Sequence, residues 1–373
     1  MIYRKEIDGL RALAVLPVIL FHAGFGWVPG GFVGVDVFFV ISGYLITSII
    51  LDELEAGRFT LAGFYERRAR RILPALFFVL LVCLPMAWWL LLPAELMNFG
   101  KSLIAVAGFV SNILFWLQTD YFAATAEQIP LLHTWSLAVE EQYYLLFPLL
   151  LLLTWDLGKR WLLGLLVLIA LLSFVWAEWL WRQSVEANFY LLPSRAWELM
   201  LGALAAFYLQ KNRVEQGTLA QIASLLGLGL LLVAIFGLHE GVPFPSLYAL
   251  LPTLGAVLLI MFATPATWVG RWLGKRVLVG IGLISYSAYL WHQPLFVFAR
   301  MQATEEPSAV FMAGLIVLTL LLAYASWRWV EQPFRERSRF TRQQIFAMAA
   351  LGSVLLVVTG VWLVAAEGLP ERF

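Results

Sequence analysis

Apolar segments long enough, or nearly long enough, to cross a bilayer recur along the whole chain. They fall at about 10–26, 32–51, 74–92, 101–118, 136–155, 161–180, 195–210, 219–238, 248–263, 277–299, 308–329 and 344–366. A backbone in lipid must satisfy its own hydrogen bonds, and unbroken apolar runs of this length do so as helices. The expected fold is therefore an all-α, polytopic membrane protein. With 62% hydrophobic and only 13% charged residues, the chain is no ordinary soluble domain. A net charge of +1 gives no reason to expect nucleic acid or a strongly acidic partner. Cys83 is the only cysteine, which excludes internal disulfides and cysteine-rich metal sites, and no metal is expected. The first segment carries Arg11 and Pro17 and lacks a clear small-residue cleavage site, so it reads as a retained span.

Basic residues choose the topology. If 101–118 lies along the interface or re-enters, eleven spans remain, and the 25 lysines and arginines divide 20 on the N-terminal side against 5 opposite. If it crosses, the division is 12 against 13. The positive-inside rule selects about eleven spans plus one non-spanning helix, with the N-terminus cytoplasmic and the C-terminus outside. Residues 1–366 read as one membrane domain without a linker, and 367–373 as the start of an extracytoplasmic tail.

Within the first segment, Arg11 and His22 are eleven residues apart. At ~100° per residue they share one helix face, separated by roughly 16 Å along the axis. Ionisable groups at such depth are costly and usually functional. Asp36 follows the turn G24-F-G-W-V-P-G-G31, and antiparallel packing would set it level with His22, either to fix the imidazole tautomer or merely to anchor the hairpin. Ser42 and Tyr44, in the same second segment, are oxyanion donors by proximity alone.

The loop F64-Y-E-R-R-A-R-R-I-L-P74 gathers Arg67, Arg68, Arg70 and Arg71 at the cytoplasmic end of the third span. Such a cluster suits phosphate oxygens or anionic headgroups equally. His133, Ser136, Glu140 and Tyr144 follow at helical spacing and form one stripe, from which Glu141 points away. Glu140 could act as base, orient a hydroxyl, or pair with Arg195. Arg195 and Glu198 lie one turn apart beside the small-residue face of Gly202 and Ala206. Ser285, Tyr289 and His292 share a face that could stack a sugar, although Tyr and Trp are ordinary near an interface. V330-E-Q-P-F-R335 is expected to end its helix. Phosphate loops, nucleophile elbows and H-E-x-x-H motifs are missing, so any chemistry takes place at or within the membrane.

Together, I-D-G-L-R-A-L-A-V at 7–15, the Arg11–His22 spacing, G-V-D-V-F-F-V-I-S-G-Y-L-I at 34–46, F-Y-E-R-R-A-R-R-I-L-P at 64–74, W-S-L-A-V-E-E-Q-Y-Y at 135–144, P-S-R-A-W-E-L at 193–199 and Y-S-A-Y-L-W-H-Q-P at 286–294 resemble the acyltransferase-3 family in order and over nearly the whole chain. The resemblance implies O-acyl transfer at a bacterial cytoplasmic membrane. The donor would be cytoplasmic acetyl-CoA, and the acceptor a hydroxyl of a surface polysaccharide, lipopolysaccharide or peptidoglycan. It implies His22 as the catalytic imidazole, acting as base or as nucleophile, with Arg11 and the arginines at 67–71 holding the coenzyme. The most similar family members continue into an extracytoplasmic SGNH domain, so such a domain or a separate protein would complete transfer. Membrane lipids and the surface carbohydrate are the other expected partners. A proton-coupled transporter or flippase for a lipid-linked sugar or metabolite, using His22 and Glu140 as a relay, is the rival reading.

Overall fold

The computed structural model describes residues 3–118, 128–211, 217–303 and 305–372, and among them every regular element is a helix. In chain order these are α1 (Lys5–His22), α2 (Gly34–Glu55), α3 (Leu61–Leu90), α4 (Pro93–Ala107), α5 (Ser111–Gln118), α6 (Thr134–Thr154), α7 (Lys159–Leu180) and α8 (Val185–Tyr190). There follow α9 (Leu192–Lys211), α10 (Thr218–Gly237), α11 (Leu250–Phe262), α12 (Trp268–Leu273), α13 (Arg276–Gln302), α14 (Ala309–Ser326), α15 (Gln332–Arg335) and α16 (Arg342–Ala365).

Seven of the described helices are long and apolar enough to cross a membrane: α2, α3, α6, α7, α10, α14 and α16 with their short extensions. The sequence suggested about eleven. The other four segments are helical as well: α1 and α9 carry charged side chains along their length, α13 has Ser, Tyr, His and Gln in its middle, and α11 has only 13 residues. The expected non-spanning segment 101–118 is not one helix. Gly108 ends α4, Phe109 takes a positive φ of 52°, and α5 begins afresh at Ser111. The helix running from α14 into α15 ends at Arg335, within the expected Val330–Arg335 motif and two residues past Pro333. A π-helical turn at Trp327–Glu331 leads into α15, which accepts the proline at its start, where no intrahelical N–H is required.

The chain forms two compact units, each from two stretches: 1–59 with 139–285, and 60–138 with 286–373. In the first, Leu10, Ala14, Val37, Val40, Ile41, Leu231, Leu259 and Ile260 build a buried apolar core. Its most extensive helix pairing is α2 with α9. A Cβ on Gly43 would lie 1.9 Å from the Leu199 carbonyl oxygen, and one on Gly202 would lie 2.0 Å from that of Val40. Hydrogen at both positions lets the backbones touch, as small-residue faces do in membranes. In the second unit Gly100 of α4 and Gly360 of α16 meet in the same fashion. Outward faces remain apolar, as in α16, where Leu351, Val354, Leu355, Val358 and Val361 are exposed. That pattern suits lipid rather than water.

Candidate active site

On α1, Arg11 is buried and donates to Asp8, Nη1 to Oδ1 at 3.3 Å. Three residues separate the two, one helical turn, so the carboxylate sits beside the guanidinium without reaching to another element. Asp8 also accepts from the Tyr3 hydroxyl at 2.7 Å. Partial desolvation and the Asp8 bond push that phenol up to about 12, which keeps it a neutral donor. Arg4 straps the start of the helix to the carbonyls of Ile260 and Ala263, at 2.7 and 3.0 Å, and reaches the Tyr44 hydroxyl at 3.4 Å. His22 is the last residue of α1, half-buried, with Phe21 edge-on at 5.2 Å. The single helix thus carries both ends of the Arg11–His22 pair.

Asp36, expected to flank His22, has a different partner. Its Oδ1 is 3.1 Å from Nη1 of Arg195, which also lies 2.9 Å from Glu198 Oε1. All three side chains are essentially inaccessible, and Phe39, Phe189 and Phe244 surround the guanidinium at 5.3–5.7 Å. The touching α2 and α9 backbones bring these charges together, so Asp36 and Arg195 serve each other and the helix pair. A buried charge on either helix needs such a partner.

Glu140 is placed otherwise. Half-buried on α6, it accepts from Ser42 at 2.9 Å and from Tyr144, one turn along its own helix, at 3.1 Å. Arg195, its suggested arginine partner, is committed to Asp36 and Glu198. Ser42 and Tyr44 are two residues apart and point to opposite sides of α2, the first to Glu140 and the second to Arg4, so they do not form a joint oxyanion hole.

The stripe on α6 divides between the units. Glu140 and Tyr144 belong with Ser42, whereas Ser136 and His133 belong with Tyr289. The Tyr289 hydroxyl is 2.8 Å from Ser136 Oγ and donates to the His133 carbonyl at 2.9 Å. The His292 ring lies 5.6 Å from that of His133, with Nδ1 2.6 Å from the Tyr289 carbonyl. His292 is fully buried, which removes it from an open sugar-stacking surface, and Ser285 on the same helix is buried too.

Of the four clustered arginines, Arg70 is buried and held by structure. It donates to Glu66 at 3.0 Å and to the carbonyls of Phe334 and Phe340 at 3.1 and 2.6 Å. Arg342 joins Glu66 from α16 at 2.8 Å. Arg67, Arg68 and Arg71 stay partly exposed. The sequence reading passed over Asp8, Glu66 and Glu331. Helical spacing to Arg11, Arg70 and Arg335 was the available signal for all three. Among the described residues no group of His, Cys, Asp and Glu could hold a metal ion.

An acyltransferase-domain family model matches residues 4–328. The chain belongs to the acyltransferase-3 family. Its relatives include the peptidoglycan O-acetyltransferase OatA of Listeria monocytogenes, 34% identical over 349 residues, covering 90% of this chain and 56% of the relative. The putative O-acetyltransferase SAS0844 of Staphylococcus aureus is 33% identical over 353 residues, covering 90% and 58%. O-acetyltransferase OatA of Staphylococcus aureus is 31% identical over 397 residues, covering 95% and 63%. The chain therefore spans little more than half the length of these family members. No solved structure matches it.

Proposed function

We propose that this acyltransferase-3 protein is a membrane O-acetyltransferase. It would move acetyl from cytoplasmic acetyl-CoA to a hydroxyl of a cell-envelope carbohydrate, with an SGNH domain or a separate protein as a further carrier. The observation that carries this reading is α1 itself. One helix holds a buried, carboxylate-paired Arg11 and, three turns on and at nearly the same azimuth, the partly accessible imidazole of His22. The names of the relatives support acetyl transfer, and the basic-residue bias supports a cytoplasmic N-terminus in a bacterial inner membrane.

Arg67, Arg68 and Arg71 are the guanidinium groups we assign to the donor's phosphates, and Arg11 to its anionic or carbonyl oxygens. His22 takes the proton of the attacking hydroxyl, or accepts the acetyl group as an acetyl-imidazole, while the coenzyme departs as a thiol. Glu140, bridged by two hydroxyl groups, is the second base of the proposal. Purified protein incubated with radiolabelled acetyl-CoA tests it. His22→Ala should lower thioester cleavage at least a hundredfold with an unchanged elution profile and melting temperature. Full turnover in that variant would remove His22 from the chemistry. Acid quenching followed by intact-mass measurement distinguishes a covalent acetyl-histidine from general-base catalysis.

A further inference from the structure

We infer that the second unit carries a carbohydrate subsite in the cavity formed by α4, α5 and residues 128–130, and this rests on the acetyl-transfer reading only for the identity of the sugar as acceptor. The cavity measures about 430 Å³, within the usual range for small-molecule sites. Five polar side chains line it: Glu95, Asn98, Ser102, Gln118 and Gln128. Phe99, Phe115 and Leu91 supply apolar walls.

The chemistry of that lining selects the ligand. None of the described lining residues is Lys or Arg, and one is a carboxylate. The two cations beside the lining, Lys101 and Arg372, bond to Asn98 and to the Trp88 and Leu91 carbonyls. The lining itself therefore favours a neutral polar ligand over a polyphosphate. An acyl chain would leave the amides, the hydroxyl and the carboxylate facing hydrocarbon at a desolvation cost. A sugar presents hydroxyl groups that both donate and accept, which is what amide and carboxylate groups satisfy, and C–H faces that fit the phenyl walls. Part of the lining is already held in place. Glu95 accepts from the Leu92 amide at 2.9 Å, Asn98 accepts from Lys101 at 3.3 Å, and Ser102 donates to the Asn98 carbonyl at 3.0 Å.

Location points the same way. The arginine cluster lies near the start of α3, whereas Leu91 directly follows its end. The nineteen helical steps from Arg71 to Leu90 span about 28 Å, close to a hydrocarbon core. Trp88 and Trp89 are exposed at that far end, and Trp88 stacks on Trp362 at 6.1 Å, as in an interfacial aromatic belt. Arg372 donates to the carbonyls of Trp88 and Leu91, so the last described turn of the chain is secured at the rim. The cavity therefore opens at the opposite membrane face from the basic cluster, where a surface glycan is met.

Binding of a soluble N-acetylglucosamine tetrasaccharide to the purified full chain in nanodiscs, followed by thermophoresis, tests the inference directly. Asn98→Ala and Gln128→Ala, both at exposed positions, should each weaken binding about fivefold, as expected for one lost hydrogen bond. Ser102→Phe should fill the cavity and abolish binding. In a transfer assay the two alanine variants should raise the acceptor KM with little change in kcat. Wild-type affinity in all three variants overturns the subsite, as does absence of tetrasaccharide binding to the wild type. Specific binding without any acetyl transfer keeps the subsite and overturns the proposed function instead.

Discussion

Asp36 and Glu140 are two carboxylates in the same structural unit, and their surroundings could hardly differ more. Asp36 is sealed between α2 and α9 against a guanidinium, itself boxed in by three phenyl rings and a second carboxylate. Glu140 is half open and touched by two hydroxyl groups, each able to give a proton or accept one. Charge pairing inside a closed interface specifies packing. The first arrangement holds two helices together, and the second is the one to which the proposed function gives a proton-transfer role.

The contrast can be broken most severely at Arg195. Arg195→Ala leaves Asp36 and Glu198 facing each other without a cation, at a cost of about 3–5 kcal/mol. A large fall in melting temperature and loss of monodispersity in detergent are the expected readouts. A stable, active variant would make the triad dispensable. Glu140→Gln sharpens the opposite side. Hydrogen bonding is largely kept, so melting should stay at the wild-type temperature while acetyl transfer drops about a hundredfold. Collapse of this variant like Arg195→Ala would assign both acids to architecture. Ser42→Ala has the smallest effect, about fivefold in kcat from one lost hydrogen bond, again without a stability change. A rate equal to wild type would remove the Ser42 hydroxyl from the part assigned to Glu140.

Much of this was legible in the residues. Apolar periodicity fixed the helical class, and the eleven-residue interval put Arg11 and His22 on one helix face. The Arg195–Glu198 pair followed from a one-turn spacing. Contacts between distant segments were not legible, because periodicity orders side chains along one helix and says nothing of the neighbour. Asp36 could therefore be placed beside His22 on hairpin logic, although Arg195, 159 residues away, holds it. The same limit hid the division of the α6 stripe and the inward turn of Arg70.

Where Gly43 and Gly202 press α2 and α9 together, no side chain separates the two main chains. A pair locked this way moves as one strut, and Ser42, next in line to Gly43, inherits its rigidity. Whatever rearrangement accompanies a catalytic cycle must then be sought in other parts of the molecule, with these two helices as its fixed frame. Even a single methyl group at either glycine would act as a wedge in that frame.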